Sequence, residues 1–407
     1  MLETLRSVLQ FRRFEIDSSK RRLARAANVH DLRLIARRRL PAGVFGYVDG
    51  AAEDERTLQA NVDAFASYRF RPRVLRDVSK VDPATTILGQ PAPMPLVFAP
   101  TGFTRIVHPD GELAVARAAS RAALPYGLST LSTRSIEEVA AASGTGRRWF
   151  QVYVWRDRGL VKDMIDRAAG NGYDTLMLTV DTAMLGRRER DVRRGFSLPP
   201  KIGLDTIIDG ALHPGWTWNF VRSDPIKFAN IAGRGSTVGD GSTAVALAEF
   251  TNAQFDKALS WADVDWMRSV WDGPIMLKGI QTVDDARIAA EHGVDAISVS
   301  NHGGRQLDDA PPALDLVAPV VDAVGDRVEV YCDGGVRRGS DVLKAVALGA
   351  RACLIGRAYL YGLGAAGELG VDAVIAMFEA DLRRTMSLLG INRVDELGPE
   401  FIERVTR

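Results

Sequence analysis

The sequence predicts an α/β fold: a closed (β/α)8 barrel with an N-terminal helical extension and a long insertion after its fourth strand. Three observations predict it. Short apolar runs bounded by turn residues recur eight times between residues 94 and 357. Helix-period segments separate them, and most of these end in glycine, the usual helix stop. The runs are apolar throughout, which suits parallel strands covered on both faces. Eight such units fit a closed ring better than an open sheet, which has less reason to stop at eight. That architecture is a TIM barrel.

In chain order the strands are MPLVFAP (94–100), YGLSTL (126–131), RWFQVYV (148–154) and TLMLTVD (175–181). After a gap come PIMLKGI (274–280), AISVSNHGG (296–304), VEVYCDGG (328–335) and ACLIGR (352–357). Segments such as DGELAVARAASRAA, RGLVKDMIDRAAGNG, TVDDARIAAEHG and GSDVLKAVALGA supply the helices between them. Residues 1–90, with DLRLIARRRLP and YVDGAAEDERTLQANVDAF, form the helical extension. The barrel domain then spans 91–390, and 391–407 is a C-terminal tail. Residues 182–258 break the spacing and carry HPGWTWNF and GRGSTVGDGST. A loop this long in a compact domain is a lid, a binding element or partly disordered.

Composition removes several function classes. The 52 basic and 51 acidic residues nearly cancel, so there is no basic stripe for nucleic acid. No run reaches the ~18 apolar residues of a membrane-spanning helix. The start MLETLRSVLQFRRF has charges where a signal peptide has an apolar block. The expectation is a cytoplasmic protein, with peripheral contact at the inner face of the cell membrane as the alternative. Cys332 and Cys353 sit in apolar runs and read as buried free thiols. The five histidines, His30, His108, His213, His292 and His302, offer no zinc spacing, so no metal is expected.

Barrels of this type carry their sites at the C-terminal ends of the strands. Those ends hold Thr101, Ser129, Gln151 with Tyr153, Thr179 with Asp181, Lys278, His302 with Arg305, Asp333 and Arg357. A ring of polar groups around one mouth is a site. CDGGVRRG and IGR follow the last two strands, where such barrels bind phosphate through backbone N–H groups. Gly334, Gly335 and Gly356 permit close approach there, and Arg337 and Arg357 can neutralise the charge, so a mononucleotide-type cofactor is expected. GDGSTA (239–244) imitates a dinucleotide fingerprint, but follows no strand and opens no helix. In SNHGGRQLD (300–308) a histidine three residues before an arginine suggests proton transfer beside an anion clamp. The paired glycines there suggest that something bulky must approach the backbone closely.

SNHGGRQLD, DGGVRRG, APTGF, FQVYV, TVDTAMLGRR and YVDGAAEDE together resemble the FMN-dependent L-2-hydroxy acid oxidases and dehydrogenases. The likeness runs in register from about residue 30 to 390, and with HPGWTWNF it is nearest to bacterial quinone-linked L-lactate dehydrogenases. The resemblance implies that His302 is the catalytic base, with Asp181 as its partner. It implies that Arg305, Arg188 and Tyr47 bind the substrate carboxylate and that Tyr153 meets the hydroxyl. Lys278 matches the lysine beside the flavin's pyrimidine end. Thr101, Gly102, Ser129, Gln151 and Thr179 match positions around the isoalloxazine ring. Asp333, Gly335, Arg337, Gly356 and Arg357 match the ribityl and phosphate contacts.

The implied activity is oxidation of L-lactate or a similar acid to the 2-oxo acid, with FMN as cofactor, a quinone-type acceptor and a homotetrameric assembly. An oxygen-using oxidase or a mandelate-type dehydrogenase is the alternative, and a catalytically silent flavin-binding barrel is the non-enzyme reading. A guanidinium offers a carboxylate two parallel hydrogen bonds. His302 would take either the hydroxyl proton, as the α-hydrogen leaves as hydride, or the α-proton itself. Two positions depart from the family. Leu131 stands where some plant-type glycolate oxidases have tryptophan, which predicts a roomier pocket. Gly102 stands where many members have alanine, close to the flavin. Trp216, Trp218 and Phe220 of HPGWTWNF are open to two readings, a membrane contact or a lid packed on the protein.

Overall fold

The computed structural model describes residues 15–194, 203–231 and 254–405. The GDGSTA segment and the charged start of the chain lie outside the described residues. Eight parallel strands close into a barrel: β1 (Leu96–Phe98), β2 (Tyr126–Ser129), β3 (Arg148–Val152), β4 (Thr175–Thr179), β5 (Ile275–Ile280), β6 (Ala296–Ser300), β7 (Glu329–Asp333) and β8 (Ala352–Ile355). Each pairs with its neighbours in sequence, and the ring closes where Cys353, Leu354 and Ile355 pair with Leu96, Val97 and Phe98. All eight apolar runs become strands. The ladder in AISVSNHGG stops at Ser300, because His302, Gly303 and Gly304 turn to φ of 58°, 64° and 77°.

Strand alternation sorts the side chains into two sets. Phe98, Leu128, Phe150, Leu176, Leu178, Leu277, Ile297 and Val299 face outward into the large core shared with the helices. Cys332 and Cys353 belong to that set, paired in register, buried and free. Val97, Trp149, Met177, Met276, Ala296, Tyr331, Ala352 and Leu354 form a separate cluster inside the barrel. The hairpin of Thr85–Ile87 and Gln90–Ala92 adds Ile87 and Ala92 to this cluster. The inner face therefore carries an apolar layer low in the barrel. Two residues further along the same strands, the same alternation delivers Gln151, Thr179, Lys278 and Asp333 to the mouth.

The N-terminal extension is built into the barrel's upper side. Its helix Arg56–Ala66 packs on the loops after β6 and β7, and a Cβ at Gly335 would stand 2.0 Å from the Asn61 carbonyl oxygen. Strand Tyr68–Phe70 pairs antiparallel with Ile402–Arg404, tying the extension to the C-terminal tail. The described part of the insertion holds the short helix Glu189–Arg193 and two longer ones, Leu204–Leu212 and Pro214–Arg222. It is anchored by Trp216 Nε1, which donates to the Ile106 carbonyl at 2.8 Å, and by Arg105 Nη2, which donates to the Asp224 carbonyl at 2.6 Å. No described helix is long and apolar enough to cross a membrane.

Candidate active site

One cleft at the mouth gathers nearly all the predicted residues. Thr101, Gly102, Ser129, Gln151, Tyr153, Thr179, Lys278 and Asp333 line it from the strand ends; His302, Arg305, Gly335, Arg337, Gly356 and Arg357 line it from the segments that follow. Tyr47 reaches it from the N-terminal extension and Arg188 from the insertion. Asp181 lies behind the wall, buried beneath His302. Of the five histidines, only His302 borders this cleft.

His302 Nδ1 lies 3.0 Å from Asp181 Oδ1, which also accepts from Thr182 Oγ1 at 3.0 Å. Burial pushes the Asp181 carboxyl up, but the nearby His302 and Lys278 outweigh burial and hold it below its usual range. An ionised carboxylate only accepts, so Nδ1 carries the proton and Nε2 is left as an acceptor. Burial lowers the His302 pKa against the opposing pull of Asp181, which keeps the imidazole neutral near pH 7. The residue sits in the left-handed region, costly for a side chain other than glycine, and its N–H donates to Ser300 Oγ at 3.1 Å.

The glycines after His302 have a different use from the one the sequence suggests. A Cβ at Gly303 would stand 2.6 Å from Arg357 Nη1, and one at Gly304 would stand 2.6 Å from the Leu58 nitrogen. They admit a protein guanidinium and a helix start, so the close approach is made by the protein itself. Arg357 donates from Nε, Nη1 and Nη2 to the carbonyls of Val48, Gly303 and Gly50 at 3.1, 2.8 and 2.7 Å. It fastens the loop after β6 to the extension. Arg305 Nη1 likewise donates to the carbonyls of Tyr47 and Gly50 at 2.8 and 3.0 Å, which leaves the rest of its fork for the cleft. The Arg188 and Arg305 guanidinium carbons lie 5.8 and 5.1 Å from the Tyr47 ring centre. Burial, reinforced by the like charge of Arg188, pushes Arg305 down to about 9. Two cations around one tyrosine form a site for an anion.

Lys278 Nζ meets Asp333 Oδ2 at 2.7 Å and Ser300 Oγ at 3.1 Å, and Ser300 Oγ donates to Asp333 Oδ2 at 2.8 Å. Burial opposes the charged lysine, but Asp333 and Asp181 raise its pKa above the usual value and keep it protonated. Sequence reasoning did not single out Ser300, although it is the next inward residue after Ser298 on β6. It also missed Asn61 and Asn301, whose amides exchange hydrogen bonds of 2.8 and 3.0 Å. An asparagine in the middle of a helix, unfavourable by propensity, was the only local sign of Asn61.

Residues 36–404 match the family model described as FMN-dependent dehydrogenase. The chain belongs to that family. A Mycobacterium tuberculosis protein provisionally named L-lactate dehydrogenase is 45% identical over 403 residues, 99% of this chain and 95% of its own. Glycolate oxidase 1 of Oryza sativa subsp. indica is 42% identical over 91% of this chain and 94% of its own. A solved structure described as the monotopic membrane protein (S)-mandelate dehydrogenase superposes with a TM-score of 0.89, at 39% identity, covering 94% of this chain and 100% of its own. The family member described here is accordingly an enzyme, an FMN-dependent oxidoreductase acting on 2-hydroxy acids.

The cleft fits that cofactor. Gln151 Oε1 accepts from Ser129 Oγ and the Thr130 N–H, while its Nε2 is a buried donor with no protein partner, as a ring carbonyl would require. At the other end the helix Arg357–Ala366 opens at Gly356, directing its N-terminus at the cleft beside Arg337.

Proposed function

We propose that this enzyme oxidises an L-2-hydroxy acid with a bulky apolar side chain, mandelate foremost, and passes the electrons to an acceptor at a membrane surface. The observation that carries this reading is the outer face of the two inserted helices. Leu204, Ile207, Ile208, Leu212, Trp218 and Val221 are all exposed, a row of apolar groups that a purely aqueous surface does not explain. Arg222 lies 4.6 Å from the Trp218 ring centre and offers a cation for lipid headgroups. The likeness to a monotopic mandelate dehydrogenase supports the same reading. For the substrate, Leu131 and Leu185 give the cleft an apolar wall, and Gly102 adds no bulk. L-Lactate is the second reading, favoured by the 45%-identical relative and by the overall sequence pattern.

In this scheme Arg305, Arg188 and Tyr47 orient the carboxylate, and Tyr153 meets the hydroxyl. His302 Nε2 takes a proton from the substrate, and Asp181 stabilises the resulting imidazolium. Thr101, Gly102, Ser129, Gln151 and Thr179 would hold the flavin ring; Asp333, Gly335, Arg337, Gly356 and Arg357 would hold the ribityl chain and phosphate. Bound FMN supplies the two-electron acceptor. Lys278, kept protonated by Asp333 and Asp181, would favour negative charge on the bound cofactor. The test is the anaerobic rate of flavin bleaching with L-mandelate, L-lactate and glycolate, followed by reoxidation with oxygen or a quinone. Fastest bleaching by lactate establishes the second reading, and faster reoxidation by oxygen makes the enzyme an oxidase.

The inserted helices give a separate prediction. Trp216 faces the protein through its bond to Ile106, whereas Trp218 is 60% exposed, so the two tryptophans divide between the lid and membrane readings. The double variant Leu212→Ser/Trp218→Ser loses most of its co-sedimentation with anionic vesicles while anaerobic flavin reduction stays as in the parent. Unchanged sedimentation with slower reduction would make the segment a lid.

A further inference from the structure

A buried carboxylate joins two distant stretches of sequence, the extension motif YVDGAAEDE and the inserted GRRERD (186–191). Asp49 ends the helix Ala42–Asp49, two residues after Tyr47, and is 4% exposed. Its Oδ1 accepts from Arg33 Nε and from the Tyr361 hydroxyl, the latter at 2.8 Å. Its Oδ2 accepts from Arg33 Nη2 at 2.7 Å and from Arg190 Nη1 at 2.9 Å. The second arm of Arg190 pairs with Glu55, whose Oε1 accepts the Ala51 N–H at 3.1 Å. The stem of Arg190 is seated as well: its Cδ would stand 3.5 and 3.4 Å from a Cβ placed at Gly46 and at Gly50. Glycines one turn apart thus make a shallow groove for it.

Arg190 follows Arg188 by two residues, and Arg188 caps the short helix Glu189–Arg193. Arg188 Nε is buried without a partner, and this guanidinium shares the Tyr47 ring with Arg305. These like charges repel, with Asp191 as a nearby counter-charge, and the segment is also held by the Glu53 N–H, which donates to the Arg187 carbonyl at 2.9 Å. The tie to Asp49 and Glu55 supplies an opposing attraction. Arg33, Tyr361 and Arg190 outweigh burial and keep the Asp49 carboxyl at about 2, so the tie stays charged at neutral pH.

We propose that Asp49 and Arg190 form a latch that positions Arg188 against Tyr47, setting the affinity for the substrate's carboxylate without touching it. The latch assembles the two cations during folding, so that less of the binding energy is spent on ordering them. The proposal rests on the reading that Arg188 binds that carboxylate. Asp49 and Arg190 are positioning residues, and their effect falls on binding.

The experiment uses FMN-loaded enzyme with the best acid of the substrate panel, and with its 2-oxo product as an unreactive competitor. Arg190→Ala raises the KM and the product's inhibition constant together, on the order of ten-fold. Its kcat stays within about two-fold and its flavin content is normal, while Arg190→Lys recovers part of the loss because one ion pair survives. Gly46→Leu displaces the stem without removing a charge, has the same effect, and decides the matter if Arg190→Ala does not fold. Unchanged KM and inhibition constant in Arg190→Ala or Gly46→Leu, or a fall confined to kcat, overturns the latch. Arg188→Lys separates the two ideas: if it leaves both constants unchanged, the carboxylate is held elsewhere and the reading beneath the latch fails. If it weakens both while Arg190→Ala does not, only the latch fails.

Discussion

Replacing His302 with alanine slows anaerobic flavin reduction by a 2-hydroxy acid by roughly 10²–10⁴-fold, the usual worth of general-base help, while the enzyme stays yellow. No other histidine borders the cleft; Asp333, which does, is tied to Lys278 and Ser300, and Asp181 behind the wall is held ionised by His302 and Lys278. His302→Asn is the companion variant, because asparagine tolerates the left-handed backbone better than alanine does. Stopped-flow bleaching measures both, and a rate close to the parent in either would assign the base to another group. The pH dependence has a fixed sign. Burial lowers the His302 pKa, so the imidazole is neutral and able to accept above a value under the ordinary 6.5. The rate of reduction therefore rises with pH through a midpoint below 6.5 and is flat above it. Asp181→Asn removes the charge that opposes this shift, so the midpoint moves further down and the plateau falls.

Lys278→Met has the largest expected effect on stability. Lys278 and Asp333 are 4% and 8% exposed and meet at 2.7 Å. Methionine fills a similar volume but leaves the Asp333 carboxylate buried with only Ser300 as a donor. Stranding one partner of a buried pair costs about 3–5 kcal/mol. Adding Asp333→Asn removes the stranded charge and recovers most of that loss, because a neutral amide keeps the Ser300 contact. Urea denaturation of the FMN-loaded single and double variants, read as midpoints, measures the difference. A single variant as stable as the parent, or a double variant that recovers nothing, would show that Lys278 and Asp333 are not the coupled pair described here.

The sequence by itself determined the barrel and the inventory of its mouth. Apolar runs followed by polar strand ends are local features, and the two-residue alternation of a strand carries them directly into three dimensions. That is why Gln151, Thr179, Lys278 and Asp333 were legible before any fold was known. His302 was legible for the same reason, lying two residues beyond a strand. What only the tertiary structure decided is what those residues touch. Gly303 and Gly304 read locally as space for a ligand, yet their space is taken by Arg357 and by the start of a helix some 250 positions earlier in the chain. Trp216 and Trp218 are two residues apart on a helix and therefore point about 200° apart, one toward the barrel and the other outward. The Asp49–Arg190 pair left no trace in spacing, because 141 residues separate its members. Periodicity reports which face a side chain occupies; which partner meets it there depends on how the extension and insertion close over the barrel, and that is a property of the packed chain.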